Sequence, residues 1–197
     1  MITFPLTPPA TPGFRSIEWQ DQGNVGMSAS LFTAHQHVNV WPAQWWTATV
    51  TLPAMRSQAV IGSWVSFFLA LNGVEGTFML GDSVRRSSLG TIAGTLGVST
   101  GAVANSTTLP LSGGTGSLVA GDWIQISTGS TARLHRVTQV NTGSVDVFPR
   151  LRSSHAQGTL VTYTNAVGVF RLGARVPWAF DERKIASGVS FSVIEAL

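Results

Sequence analysis

Two histidines one residue apart, His35 and His37, are the first residues in this chain whose types and spacing fit a chemical task. On an extended strand, side chains at i and i+2 leave the same face, and a pair of imidazoles placed that way is half of many zinc sites. The other half is absent, because the chain has no cysteine and no run of carboxylates near the pair. The pair is therefore read as a polar face at an interface, and neither a metal nor a cofactor is expected. Asp82 followed by Arg85-Arg86 sets a carboxylate beside two cations. A turn salt bridge worth under about 1 kcal/mol accounts for it.

Other chemistry is not supported. The spaced glycines of Gly90-Thr91-Ile92-Ala93-Gly94-Thr95-Leu96-Gly97 lack the Gly-Lys-Ser/Thr ending that cradles a nucleotide phosphate, so the segment reads as a loop or flexible strand. There is no Gly-x-Ser-x-Gly elbow, and the nine carboxylates are dispersed. No catalytic residue is nominated, and an enzyme is not expected.

Tryptophan is the stronger signal. Trp41, Trp45 and Trp46 lie close together, while Trp123 stands alone in a stretch rich in small polar residues. Aromatic side chains anchor protein interfaces or stack on sugar rings. Trp45 and Trp46 point to opposite faces if their segment is a strand, so at most one is core on a two-layer sheet. Trp41, Trp45 and Trp46, with Arg85 and Arg86, are the interface candidates. Trp123 and Tyr163 are the candidate saccharide contacts.

The composition says what surrounds these residues. Only 11% of the 197 residues are charged while 44% are hydrophobic, against roughly 25% charged in an ordinary soluble domain. A surface with so few ions is suited to burial against other subunits. The net charge of +3 comes from 11 arginines and one lysine set against nine carboxylates. The basic residues form no run, which argues against direct recognition of nucleic acid. The N-terminus lacks a basic segment followed by an apolar one, so no cleaved export signal is expected. The longest apolar stretch, 60–71, is shorter than the roughly 20 residues a bilayer requires, so no membrane insertion is expected.

Four prolines in the first dozen residues exclude helix or central strand there, leaving an extended arm or a frayed end. Residues 17–19 and 28–40 read as strands. In the second, Leu31, Thr33, His35 and His37 share one face, with Phe32, Ala34, Gln36 and Val38 on the other. A turn over 39–44, carrying Pro42, leads to a strand over 45–52. Pro53 opens a helix spanning 54–71, which Asn72-Gly73 closes. Val60, Trp64, Phe67, Phe68 and Leu71 give it an apolar stripe that must lie on a sheet. A strand over 76–82 follows.

From 83 to 165 the chain turns rich in Gly, Ser and Thr. Short alternating runs at 122–126, 133–137, 144–148 and 159–163 predict a small antiparallel barrel or sandwich. Residues 167–173 echo the strand before this insert, and 178–180 with 188–195 are expected to form a closing hairpin. The fold class is mainly β: a β-sandwich or split barrel (1–82 and 166–197) with one packing α-helix and an inserted β module (83–165).

The order of elements resembles a family. Two strands, then Leu52-Pro53-Ala54-Met55-Arg56 opening a helix, then Gly76-Thr77-Phe78-Met79-Leu80-Gly81-Asp82 after a further glycine, are similar to the distal tail (baseplate) proteins of long-tailed bacteriophages and gene transfer agents. Ala120-Gly121-Asp122-Trp123-Ile124-Gln125-Ile126 and Val147-Phe148-Pro149-Arg150-Leu151-Arg152 look like phrases of the same proteins. The resemblance implies a structural virion protein, assembled in the bacterial cytoplasm, forming a homohexameric ring at the virion tail tip. The ring's partners would be the tail tube and tail hub proteins. Members of the family often carry a carbohydrate-binding module, so the alternative reading is attachment to a host-surface saccharide through the insert.

Overall fold

The computed structural model describes residues 2–179, 186 and 188–197. The protein is mainly β, with one α-helix and two sheets among the described residues. The first sheet contains β1 (Ser16–Ala29), β2 (Gln36–Thr51), β3 (Thr77–Leu80), β10 (Gly168–Leu172) and β11 (Ser190–Glu195). It is antiparallel throughout, in the order β1-β2-β11-β10-β3. The second sheet is a closed barrel of β4 (Ala93–Val98), β5 (Thr108–Thr115), β6 (Trp123–Ile126), β7 (Arg133–Asn141), β8 (Ser144–Phe148) and β9 (Leu160–Thr162). Closure leaves no free edge in the barrel.

The helix α1 (Gln58–Leu71) lies on one face of the five-stranded sheet. Its Phe68 ring sits 5.2 Å from Phe191 and its Phe67 ring 5.5 Å from Phe78. Trp64, Phe67, Phe68 and Leu71 are buried as the apolar spacing predicts, but Ile61 takes the inner position and Val60 is half-buried. The helix begins later than Pro53, because Met55 and Ala186 exchange backbone hydrogen bonds of 2.8 and 3.0 Å that hold residues 53–56 extended. At the other end Asn72 adopts the left-handed conformation (φ 48°) and returns its N–H to Leu69 O, the cap its type predicts.

The first two strands differ most from expectation. Residues 28–40 are not one strand, because the chain reverses between Ser30 and His35, where Ala34 N donates to Ser30 O and Ser30 N to His35 O. Leu31 through His35 lie in that turn, so the supposed common face of 31, 33, 35 and 37 does not exist. Pro42 lies inside β2 and not in a turn. It is tolerated because Gly23 pairs with Gln44 and Val25 with Val40, leaving Trp41, Pro42 and Ala43 opposite Asn24 in a bulge that demands no ladder N–H. The result is one long hairpin. Its inner half belongs to the sheet; its outer half, 25–29 paired with 36–40, continues beyond it.

The N-terminal arm is ordered along the opposite edge. Leu6 donates to Thr77 O and accepts from Met79 N, adding a bridge to the outer side of β3. The strands with echoing sequences, β3 and β10, pair with Phe78 opposite Phe170, so the chain leaves and re-enters the sheet at neighbouring points. Within the barrel, Gly94 to Gly97 are part of strand β4, and β5 appears where no alternating run announced it. Trp178 and Ala179 are not in a strand, Phe180 is outside the described residues, and β11 pairs instead with β2 and β10. The expected closing hairpin is therefore not formed by 178–179.

Candidate interaction surface

Two places gather the residues of interest: the junction where the barrel meets the sheet, and the outer half of the β1–β2 hairpin. At the junction, Trp19 of β1, Trp46 of β2, Trp123 of β6, Phe148 of β8 and Phe170 of β10 form a continuous aromatic cluster. Trp123 lies 5.1 Å from both Trp19 and Trp46, and Phe148 is 5.0 Å from Trp46. Edge-to-face and tilted contacts of this kind add to the gain from burial alone. Trp46 Nε1 donates to Leu134 O at 3.2 Å and Trp123 Nε1 to Asp82 Oδ2 at 3.0 Å. The Arg136 guanidinium sits 5.2 Å from the Trp123 ring centre. Gly168 makes the approach possible, since a Cβ there would meet Leu134 Cβ at 2.8 Å.

This arrangement corrects two sequence-derived candidates. Trp46 is 5% exposed and is a core residue, not an interface anchor, because even-numbered positions 46–52 of the chain face the helix and barrel. Trp123 is 4% exposed and presents no ring face to a sugar. Tyr163 is half-buried against the barrel core, with its hydroxyl donating to Gly94 O at 2.8 Å, while Trp123 belongs to the sheet-side cluster. The two candidate saccharide contacts are not brought together. Asp82 and Arg85 do not form a turn salt bridge either. Asp82 Oδ1 instead accepts the backbone N–H groups of Val84 and Arg85 at 2.8 and 3.2 Å, and the Arg85 and Arg86 side chains lie exposed.

Beside the aromatic cluster lies a polar one that sequence reasoning missed. Arg152 Nη2 pairs with Glu195 Oε2 at 2.7 Å, the one salt bridge among the described residues. The same carboxylate oxygen accepts Trp46 N–H at 3.0 Å. His135 is fully buried, with Nδ1 bonded to Pro149 O at 2.8 Å, so Nδ1 carries the proton and Nε2 is left without a partner among the described residues. Burial pushes the His135 imidazole down to about 4, opposed by the Pro149 hydrogen bond and reinforced by Arg152, His155 and Arg133. His155 is lowered as well, by burial and then by Arg133. Positions 133–155 and 195 are far apart in the chain, and only the docking of barrel on sheet assembles them. No group of three or more His, Cys, Asp or Glu among the described residues is arranged to hold a metal.

The hairpin is the opposite case. Val25, Met27, Val38, Val40 and Trp41 are each more than half exposed, and Leu31 and Phe32 at the tip are each 98% exposed. Trp45, nearer the sheet, is half-buried. Trp41 lies across its partner strand, where an added Cβ on Gly26 would meet its ring at 3.1 Å. The signal for this surface was present in the sequence: no Asp, Glu, Lys or Arg occurs from Gln22 to Met55. His35 and His37 are the titratable groups on it, one in the turn and one on β2. The outer side of β1 has no strand partner among the described residues. Exposed edges of this kind are ordinarily guarded by charge; β1 carries Glu18 and Asp21 on its inner half and none from Gln22 to Ala29.

No protein-family model matches the chain, and no curated protein sequence matches it.

Proposed function

We propose that this protein is a structural subunit of a homo-oligomeric ring, acting as the distal tail collar of a phage-like particle between the tail tube and the tail-tip hub. Residues 1–82 and 166–197 serve as the ring-forming core, and residues 83–165 as an inserted module carried on it. The observation that carries this reading is the uncharged, apolar outer half of the β1–β2 hairpin. A monomer has no use for an unguarded edge with seven large apolar side chains in water, whereas an assembly buries it. The mechanism is geometric. The helix-backed sheet supplies a rigid block, and the hairpin joins neighbouring copies by apolar burial and backbone hydrogen bonds. The proline arm, already paired with β3 of its own chain, stabilises the block and does not reach across. The six-fold order and the tube and hub partners follow from the resemblance of the element order to distal tail proteins. Native mass spectrometry of the purified chain, alone and mixed with tail tube and tail hub proteins from the same source, tests the proposal. Rings are expected; a monomer that binds neither partner overturns it.

A further inference from the structure

We propose that copies join head to tail, the hairpin tip of one copy seating in an apolar pocket on the far flank of the next. The proposal rests on the ring reading and names the contact that would build it. The tip is a preformed knob. Ser30 Oγ accepts the N–H groups of Phe32 and Thr33, each at 3.3 Å, so the turn holds Leu31 and Phe32 outward in a set geometry. With no formal charge from Gln22 to Met55, the tip itself brings no ion that burial would desolvate. The five residues from Val25 to Ala29 give it a reach of about 17 Å beyond the bulge.

The receiving feature is a mainly apolar pocket of about 240 Å³ between the N-terminal arm, the end of β3 and the segment before β10, lined by Pro8, Pro9, Phe14, Leu80 and Val167 among others, with Asp82 and Arg86 also in its wall. An apolar cavity of about 150 Å³ takes up a benzene ring, so this one holds the Phe32 ring with space left for part of Leu31. Knob and pocket belong to opposite flanks, since β1 and β3 are the two edges of the sheet. The β3 edge itself is occupied by Leu6, which leaves the pocket as the feature a neighbour can engage there. Two different surfaces on opposite flanks make a heterologous contact, in which every copy gives one tip and receives one. Such a contact closes as a ring where the rotation between neighbouring copies divides a full turn, and otherwise runs on as a filament.

Sedimentation velocity over a concentration series of the full chain tests this with two variants. Phe32→Asp disables the knob at a position with no packing role, and Ala10→Trp fills the pocket from an exposed position on the arm. Each is expected to weaken self-association at least about tenfold, with unchanged far-ultraviolet circular dichroism. An equimolar mixture of the two is expected to form a dimer and stop there, because one intact knob and one intact pocket remain between them. Wild-type assembly that neither variant weakens overturns the knob and pocket but leaves the ring reading standing. So does a mixture that stays monomeric. A wild-type chain that is monomeric throughout, alone and with the tube and hub proteins, removes the ring reading as well. Flotation of that monomer with phosphatidylglycerol vesicles, lost in Phe32→Asp, would assign the tip to a membrane surface and overturn the proposal.

Discussion

Trp41 and Trp46 stand on the same strand five residues apart, and one is 52% exposed while the other is 5% exposed. The two halves of the hairpin to which they belong are both rich in aromatic and β-branched residues, and the inner half alone carries charge, at Glu18 and Asp21 of β1. They differ in what covers them. The inner half is roofed by the helix and the barrel, and the Trp46 indole N–H finds an acceptor there in Leu134 O; the outer half has no roof in a single copy. The comparison teaches that in this protein an apolar strand is not by itself a core strand. Whether it stabilises the fold or recruits a partner depends on the element that packs on it.

The sharpest way to break the contrast is at the roofed end. Trp123→Ala removes the ring that touches both Trp19 and Trp46 and is expected to cost about 3–5 kcal/mol in chemical denaturation. A loss below about 1 kcal/mol would mean that the barrel docks by other contacts.

Acid is expected to act on the same junction. Above pH 6.5, the ordinary histidine value, His135 is neutral in both folded and unfolded chains, and its contribution is intact. Between pH 6.5 and about 4 the unfolded chain takes up a proton that the buried imidazole refuses, so stability falls. Below about pH 4 both states bind it and the loss levels off at about 3 kcal/mol. Urea midpoints between pH 7.5 and 4 follow this, and His135→Leu is expected to flatten that portion of the profile.

A smaller effect is expected where the barrel is tethered. Asp82→Ala deprives the Trp123 indole and two backbone N–H groups of their acceptor, for a loss of about 1–3 kcal/mol by the same assay. The smallest belongs to the open end. Phe32→Asp is expected to change the stability of the isolated chain by no more than about 0.5 kcal/mol. A larger destabilisation would show that the tip packs within its own chain and would erase the difference between the two halves.

Much of the architecture was legible in the chain because it is written locally. Helix spacing, the Asn72 cap, the echo of residues 77–81 in 167–173 and the alternating runs of the insert all depend on near neighbours. The errors have local causes too. Ser30 to His35 carries neither Gly nor Pro, so its reversal had no turn signature, and Pro42 mimicked a turn because a bulge can hold it. The junction was illegible for another reason. Its members, from Trp19 to Glu195, share no sequence spacing, and Trp123 in isolation looks like a sugar platform until Asp82 and the sheet close over it.

By itself, the order of residues determined a mainly β chain with one helix, a Gly-, Ser- and Thr-rich insert, and too little charge to solvate an ordinary surface, since composition and short-range periodicity need no fold to act. Only the tertiary structure decided which tryptophans are core, that His135 is sealed beside an Arg152–Glu195 pair, and that the uncharged stretch from Gln22 extends outward as a hairpin. Burial is a property of what lands on a face, and that is set by contacts between residues far apart in the chain.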